Sequence, residues 1–242
     1  MRWFNWFLYG GAVLALAGGL WWQGERRPPA RPEAPKHRVV AEQFLASPWE
    51  RMSLPEARVF EFPLGARQGG LAYNAQPFLD WNGSRGGYHL GDDWNGIGGG
   101  NTDAGDPVRS IAAGRVLYTG TPSAGWGKVV VVGHRLATGE LWTSFYAHLE
   151  SVAVSVGSFL VRGQRLGSIG TADGLYLAHL HFELRRGAER LHGAGYASLP
   201  RDPYRRGLRS FLDEWRQERF AEFLPAPEPR GRPLPTTQFL VE

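Results

Sequence analysis

Five side chains of the kinds that bind metal ions or transfer protons fall in three short segments of the sequence: His89, Asp93, His148, His179 and His181. A lone histidine on a strand is usually a half-buried, hydrogen-bonded residue, but this clustering needs another explanation. In LAHLHFEL the flanks are apolar, and two unpaired imidazoles on a half-buried face would cost about 1 to 3 kcal/mol each. A shared metal ion would relieve that cost. Because the chain has no Cys, any transition metal must be bound by His and carboxylate side chains.

The spacing within two of the segments favours side chains that share one side of the backbone. Side chains alternate along a strand, so His179 and His181 project from the same face, about 6 to 7 Å apart. His89 and Asp93 share a side in the same way if their segment is extended. Gly91 between them removes a side chain where an ion would lie. The two segments are therefore each expected to contribute to one site.

Ligands of the N, N and O types suit zinc. A catalytic zinc ion has three protein ligands and one water molecule. Among five candidate groups, two histidines would then remain for proton transfer or for stabilising an oxyanion. Spacing does not decide which histidines are ligands. The pattern predicts a zinc-dependent hydrolase.

Other residues of the same types carry no such pattern and are predicted to be structural or solvated: His37, His134, His192, Asp92, Asp103 and Asp106. The glycine-rich segment at residues 98–105, GGGNTDAG, is similar to a phosphate-binding loop only in its glycine content. It lacks a Gly-Lys-Ser/Thr end and a following helix. We predict a flexible loop at the rim of the site.

The three segments resemble the motifs of the lysostaphin-type (LytM-like) zinc endopeptidases, bacterial enzymes that cut peptide cross-bridges or stems of peptidoglycan. The first family motif, H-x-G-x-D, corresponds to residues 89–93. The second, H-x-H followed by F-E, corresponds to residues 179–183, and a Y-x-H-L strand between them corresponds to residues 146–149. The resemblance covers about residues 86–184.

The resemblance also implies a role for each of the five side chains. His89, Asp93 and His181 would bind Zn²⁺. His148 and His179 would act in catalysis without binding the ion. The expected function is a zinc-dependent endopeptidase of peptidoglycan stems or cross-bridges, and peptidoglycan peptides are the expected partners.

The alternative is a non-catalytic scaffold of the same fold that binds the cell wall or activates an amidase. Some relatives with degraded metal motifs are of this kind. Here all five motif positions are intact, which favours an enzyme. A closed structural zinc site is disfavoured because it would need a fourth protein ligand.

The segments that must position these residues have the pattern of a mostly β domain. Between about residues 56 and 205, short apolar or alternating runs are separated by glycine. No stretch of ten residues in this range has the periodicity of an amphipathic helix. Residues 129–132 form a continuous β-branched run, typical of a strand covered on both faces. We predict a mostly β, antiparallel sheet domain. The resemblance implies the LytM-like, duplicated-hybrid-motif type, with a groove across the sheet.

The parts that flank this domain have different compositions. A C-terminal amphipathic helix packed on the sheet is predicted from apolar residues that share one helical face: Leu208, Phe211, Leu212, Trp215 and Phe223. The predicted divisions are a membrane anchor or signal segment (1–24), a Pro/Arg-rich linker (25–55), the zinc peptidase domain (56–205), and the helix with a Pro-rich tail (206–242).

The N-terminal segment predicts membrane attachment or export. Residues 3–22 are apolar apart from Asn5, and as a helix they would be roughly 30 Å long, which matches a bilayer core. Tryptophans at both ends suit the two membrane interfaces. A cleaved signal peptide is the alternative, because residues 15–17, Ala-Leu-Ala, have the small-x-small form of a cleavage site.

Charge bears on partners and location. With 27 Lys+Arg against 23 Asp+Glu and no long run of like charge, nucleic-acid binding is not expected. Arginines that follow the apolar segment favour a cytoplasmic domain by the positive-inside rule, whereas peptidoglycan lies outside the membrane. We therefore expect the cell envelope, at the outer face of the cytoplasmic membrane or in the periplasm, or secretion if residues 1–17 are cleaved. The membrane, through residues 3–22, is an expected partner, and the sequence identifies no protein partner.

Overall fold

The part of the chain that the structure describes is built mainly from antiparallel strands. The structure is a computed structural model and describes residues 46–65, 72–188 and 193–223, without the side chains of 217–223. The predicted membrane segment, most of the linker and the Pro-rich tail lie outside these residues, as do His37 and His192. Within the described ranges, neither helix has the length and apolar character needed to cross a bilayer.

The strands form one large sheet and one small sheet. Their bounds are β1 (Ala72–Gln76), β2 (Trp81–Asn82), β3 (Gly87–His89), β4 (Asp92–Gly96), β5 (Pro107–Arg109), β6 (Gly114–Gly120), β7 (Lys128–Arg135), β8 (Leu141–Val152), β9 (Phe159–Leu160), β10 (Arg165–Ile169), β11 (Leu180–Arg186), β12 (Tyr196–Ala197) and β13 (Arg205–Arg206). The large sheet has the order β1-β4-β11-β8-β7-β6-β9, with β13 on β11 and with β10 between β5 and β8, and the small sheet has the order β12-β3-β2. The prediction of a mostly β antiparallel fold is confirmed.

Strand β7 shows why its sequence is a continuous β-branched run. It lies between β6 and β8, and its four consecutive valines are fully buried. Val130 and Val132 enter the main core, whereas Val129 and Val131 pack on the other side with Phe145. Both faces of the strand are covered, as the sequence predicts.

Helix α2 (Leu208–Phe223) packs on the main core, as predicted. Leu208, Phe211 and Leu212 are buried, and Phe211 contacts Phe60 edge to face at 5.0 Å. The first backbone N–H of this helix donates to the Asp92 carboxylate at 2.7 Å. A side chain of β4 therefore satisfies one of the free N–H groups at the start of the helix.

The end of the predicted linker differs from expectation. Residues 46–55 pack against the domain instead of continuing the spacer, because Ala46 and Leu54 are buried in one apolar cluster. Between them lies helix α1 (Pro48–Met52). Its N-terminus has a capping box in which the Ser47 hydroxyl and the Glu50 carboxylate each accept a backbone N–H. This local signal outweighs the proline content.

Two other segments also differ from their sequence-based expectation. Residues 58–65 are one of the short apolar runs, in the range from about residue 56 to 205, that predict strands. Their backbone donors bond to separate partners and not to a ladder, as in the bond from Glu61 N–H to the Ile111 carbonyl. The glycine-rich rim loop is tied at two points. The Asp103 carboxylate accepts the Gly96 N–H at 2.9 Å, and the Asn101 side chain accepts a backbone N–H at 2.8 Å.

Candidate metal centre

Three of the predicted site residues meet at one point. His89 Nε2 and Asp93 Oδ1 are 3.3 Å apart, His181 Nδ1 and Asp93 Oδ1 are 2.8 Å apart, and the two imidazole nitrogens are 3.1 Å apart. These residues form the one group of metal-binding type found among the described residues. The sequence prediction that they are ligands remains a prediction, and the structure places their donor atoms within reach of one ion.

Both sheets contribute to this cluster. His89 ends β3 in the small sheet, whereas Asp93 lies in β4 of the large sheet, opposite His181 in β11. The segment from His89 to Asp93 is therefore two strands joined by a turn, and the shared side arises from that turn and not from one extended strand.

Gly91 lies in the turn because no larger residue fits there. A Cβ atom at this position would lie 2.7 Å from two ring atoms of His181 and from the Phe182 carbonyl oxygen. Real Cβ atoms do not approach neighbours this closely. The glycine of the first motif thus allows β4 to carry Asp93 against the His181 ring.

The outer nitrogen of each histidine ligand candidate is already engaged. His89 Nδ1 donates to the Gln76 carbonyl at 3.1 Å, and His181 Nε2 donates to the Glu183 carboxylate at 3.1 Å. With the outer nitrogens protonated, the inner nitrogens of both neutral rings present lone pairs. These lone pairs and the Asp93 carboxylate converge, and such an arrangement requires a proton or a cation between them. The residues therefore fit a metal ion.

The pKa values of His181 and Asp93 are both shifted because their side chains lie so close together. Burial disfavours a charged His181, but hydrogen bonds to Asp93 and Glu183 outweigh it and raise the pKa of His181 to about 9. Burial likewise opposes ionisation of Asp93, yet His181 and His89 hold the pKa of Asp93 well below its usual range. A proton held between His181 and Asp93 occupies the place of a bound cation.

Glu183 is a functional candidate for which the sequence analysis gave no role. Its carboxylate is buried and accepts from Arg185 Nε at 2.8 Å and from Arg205 Nε at 2.5 Å in addition to His181. Burial raises the pKa of Glu183, but the two guanidiniums and His181 overcome this and hold it far below its usual value. The signal in the sequence is the F-E of the second motif, since residues 181 and 183 share one strand face. A carboxylate in this place fixes the ring orientation of a metal-binding histidine.

The other two predicted histidines lie beside the cluster. The rings of His148 and His179 are 4.8 Å apart, and His179 Nε2 is 3.8 Å from Asp93 Oδ1. His148 Nδ1 donates to the Trp126 carbonyl at 3.3 Å, and His179 Nδ1 donates to the Leu177 carbonyl at 2.7 Å. An imidazole that donates from Nδ1 keeps Nε2 as an acceptor in its neutral form. Burial and the neighbouring histidines lower the pKa of His148, which is neutral at pH 7.

His148 reaches the site through an irregularity of β8. Its φ of 60° lies in the left-handed region, and β8 gains one residue relative to β7 between Tyr146 and Leu149. Tyr146 and Leu149 both enter the main core, whereas Ala147 packs on the opposite side. A bulge of this kind turns two consecutive residues to the same side and re-aims His148 toward the cluster.

A cavity of about 440 Å³ contains all five predicted residues. Aromatic side chains that the sequence analysis did not single out complete its walls: Trp126, Tyr176 and Tyr196. The ring centroid of His148 lies 6.1 Å from that of Trp126, on which it stacks, and 4.8 Å from that of Tyr176. The site is therefore an open, aromatic-walled pocket with imidazoles at its base.

Comparison with known families identifies one match. The model of peptidase family M23 matches residues 93–192. This range includes Asp93, His148, His179 and His181, and it begins four residues after His89.

Curated relatives match about a third of the chain. The "Cell division protein DipM" of Caulobacter vibrioides is 38% identical over 81 residues, which are 34% of this chain and 13% of that protein. The "Lipoprotein NlpD" of Yersinia enterocolitica is 30% identical over 81 residues, which are 34% of this chain and 78% of that protein. This chain covers only 13%, 22% and 30% of the lengths of three of the matched relatives.

Among solved structures, the chain is similar to the catalytic domain of the antimicrobial peptidase lysostaphin from Staphylococcus simulans. The identity is 22% and the TM-score 0.44, over 62% of this chain and 98% of that chain. A zinc-containing peptidase from Vibrio cholerae gives 24% identity and a TM-score of 0.41, over 55% of this chain and 38% of that chain.

Proposed function

Because this chain belongs to peptidase family M23, we propose that it is a zinc-dependent endopeptidase that hydrolyses peptide bonds in the stems or cross-bridges of bacterial peptidoglycan. The observation that carries the proposal is the convergence of two imidazole lone pairs and one carboxylate oxygen within 3.3 Å, beside two further imidazoles. Catalytic zinc sites combine three protein ligands with an open position.

In this proposal His89 Nε2, Asp93 Oδ1 and His181 Nδ1 hold the ion. When bound, zinc would act as a Lewis acid that polarises the scissile carbonyl and lowers the pKa of water, so that hydroxide is available for attack at neutral pH. Glu183 holds the His181 ring so that Nδ1 stays aimed at Asp93. The open cavity above the cluster leaves room for a peptide backbone.

The proton transfers belong to His148 and His179. Each presents an unprotonated Nε2 to the cavity because its Nδ1 donates to a carbonyl. Either ring can accept a proton from the attacking water or, once protonated, stabilise the oxyanion and protonate the leaving amine. The lowered pKa of His148 keeps its ring unprotonated at neutral pH.

The family and the relatives' names support the proposed substrate and location. Several relatives carry the name lipoprotein, and two are called outer membrane antigenic lipoprotein B. We place this chain in the cell envelope, at the outer face of the cytoplasmic membrane or in the periplasm. The predicted apolar segment at residues 3–22 would attach it to the membrane.

Digestion of purified peptidoglycan tests the function. The full chain in detergent is incubated with peptidoglycan, and the released fragments are analysed by mass and for new amino termini. We expect new amino termini within stem or bridge peptides, absent with His179→Ala and abolished by a chelator. Sugar-chain cleavage would contradict the endopeptidase, and wall binding with no bond cut would favour the non-catalytic scaffold.

A further inference from the structure

One cation faces the cavity that holds the predicted metal ligands. Arg85, in the turn between β2 and β3, lines the same cavity as His89 and His181. Of the lining residues that the structure describes, Arg85 is the one Lys or Arg. The proposed mechanism assigns it no role.

The turn that carries Arg85 is fixed by its own hydrogen bonds. The Asn82 side-chain oxygen accepts the Arg85 N–H at 3.0 Å, and the Asn82 amide donates to Gln76 Oε1 at 3.1 Å. Tyr196 donates to the same Gln76 oxygen at 3.2 Å. Gly86, next to Arg85, takes a φ of 64°, which glycine adopts without strain. Arg85 is therefore presented from a preorganised wall.

The guanidinium of Arg85 keeps hydrogen-bonding capacity. Nη2 donates to the Tyr176 hydroxyl at 3.3 Å, and the group lies 5.8 Å from the Tyr176 ring centroid. Its other N–H groups have no partner among the described residues. Asp93, the one carboxylate in the described cavity lining, contacts His181 and His89 and forms no ion pair with Arg85 within the described part of the chain.

We propose that Arg85 binds a free carboxylate of the substrate next to the scissile bond and selects acidic peptides over their amides. This inference rests on the proposed endopeptidase function and names the substrate class of the same site. A guanidinium binds a carboxylate through two parallel N–H···O bonds, and the contact to Tyr176 restricts the side chain beforehand. Tyr176 also adjoins His148, so the bound carboxylate lies one ring away from the catalytic histidines.

The test compares substrates whose free carboxylates are either kept or converted to amides. Muropeptides released from peptidoglycan by a muramidase are used directly and after conversion of their carboxylates to amides with carbodiimide and ammonia. Cleavage rates of both forms are measured by mass spectrometry for the full chain in detergent, and their binding is measured by calorimetry. We expect the wild type to prefer the free carboxylates by about tenfold, the scale of one exposed charge-assisted hydrogen bond.

Three variants assign the preference to Arg85. Arg85→Gln is expected to lose it, and Arg85→Lys, which keeps the charge without the planar fork, to retain only part of it. Arg51→Gln removes the same charge from an exposed position of α1 and should keep the full preference. Zinc content is measured in each variant and should stay constant.

The outcomes separate this inference from the proposed function. Equal cleavage of both muropeptide forms by the wild type, or a preference that survives in Arg85→Gln, overturns the role of Arg85 and leaves the endopeptidase intact. If neither form is cleaved, the endopeptidase proposal fails. Binding measurements then test the role of Arg85. The role is supported if the wild type binds the amides more weakly than the free carboxylates and if Arg85→Gln binds both forms equally; any other result rejects it.

Discussion

At the scale of single residues, the site is defined by which atoms carry protons. His89 and His181 are each fixed by a donor bond from the outer nitrogen, so their inner nitrogens face Asp93 as acceptors. Without a metal ion, this convergence binds a proton between His181 and Asp93. Metal and proton therefore compete for one place, and zinc binding should release protons.

The division between ligands and catalysts predicts two classes of variant. His181→Ala and Asp93→Ala should lose most of the zinc, which we expect at about one ion per wild-type chain. His148→Ala and His179→Ala should keep the zinc and lose activity by about 10²-fold or more, since each removes an imidazole that transfers protons or stabilises charge. Metal analysis and peptidoglycan digestion of the same preparations measure both properties.

Folding of each variant is checked by its thermal transition. Full zinc occupancy in both His181→Ala and Asp93→Ala would contradict the ligand assignment. Loss of zinc in His148→Ala or His179→Ala as complete as in His89→Ala would contradict the separation of roles.

Glu183 provides a prediction of its own. Glu183→Gln removes the negative charge that holds the His181 ring and should weaken zinc binding by about 10- to 100-fold, as for other residues behind a metal ligand. The measurement is the zinc dissociation constant by chelator competition. Glu140→Gln is the matched control, because its carboxylate is exposed and lies 3.8 Å from Arg186 at the surface. An unchanged zinc constant in folded Glu183→Gln would reject this positioning role.

The five side chains could be singled out from sequence because histidines clustered on apolar flanks need a shared partner. Apart from Glu183, which belongs to the second motif, their supporting residues could not. Gln76 supports His89 through its backbone carbonyl, which any residue offers, and Arg205 reaches Glu183 from a strand 22 residues away. Such contacts depend on the tertiary arrangement and leave no local pattern.

At the scale of elements, Asp92 joins strand β4 to helix α2. Its carboxylate accepts from the Leu208 N–H at 2.7 Å, the Asn74 amide at 2.7 Å and the Phe78 N–H at 3.0 Å. Asp92→Ala would leave these donors without their acceptor and should lower the free energy of unfolding by about 3 kcal/mol. Chemical denaturation measures this, with exposed Asp106→Ala as the control. Equal stabilities of the two variants would remove Asp92 from the structural account.

His134 in β7 predicts a dependence of stability on pH. It is fully buried, with Nδ1 donating to the Ala113 carbonyl and Nε2 accepting from Ser144, and burial lowers its pKa to about 4. In the unfolded chain the pKa is about 6.5, so the unfolded state binds the proton first as the pH falls. Its contribution is therefore present above pH 6.5 and is lost toward pH 4, by about 3 kcal/mol.

The measurement is the free energy of unfolding across this pH range for wild type and His134→Gln. Carboxylates titrate in both proteins, so the difference between the two curves isolates the contribution of His134. The variant should show the shallower slope below pH 6.5. Parallel curves would mean that His134 does not titrate on unfolding.

The alternation of side chains along a strand predicts the correct face for the residues of β11 but the wrong face for His148 in β8. In β11 the even residues Leu180 and Phe182 enter the core and His181 faces the site, as period two requires. In β8 the same rule would place His148 with Tyr146 in the core, and the bulge reverses it. No side-chain pattern announces a left-handed residue inside a strand. The prolines around helix α1 favour extended backbone, whereas the Ser47 capping box stabilises a helix there.

At the scale of the whole molecule, the apolar segment at residues 3–22 predicts membrane attachment. The full chain should remain in the membrane fraction through a carbonate wash, whereas a chain that starts near residue 23 should be released. Fractionation followed by immunodetection measures this. Protease protection reports the side of the membrane, and digestion from the outer side is expected.

Amino-terminal sequencing of the mature protein serves as the control for this prediction. A chain that begins at Gly18 would show a cleaved signal peptide and contradict the anchor. Digestion only from the cytoplasmic side would separate the protein from peptidoglycan and contradict the proposed substrate.

Anomalous diffraction at the zinc edge, from crystals of the protein grown with one equivalent of zinc, tests the central claim most directly. We predict one peak bonded to His89 Nε2, Asp93 Oδ1 and His181 Nδ1 at about 2.0 to 2.2 Å, with a fourth position open to the cavity. His148 and His179 should lie outside bonding distance. A peak elsewhere, or a zinc ion bound by His148 or His179 in place of one of the three, would contradict the account.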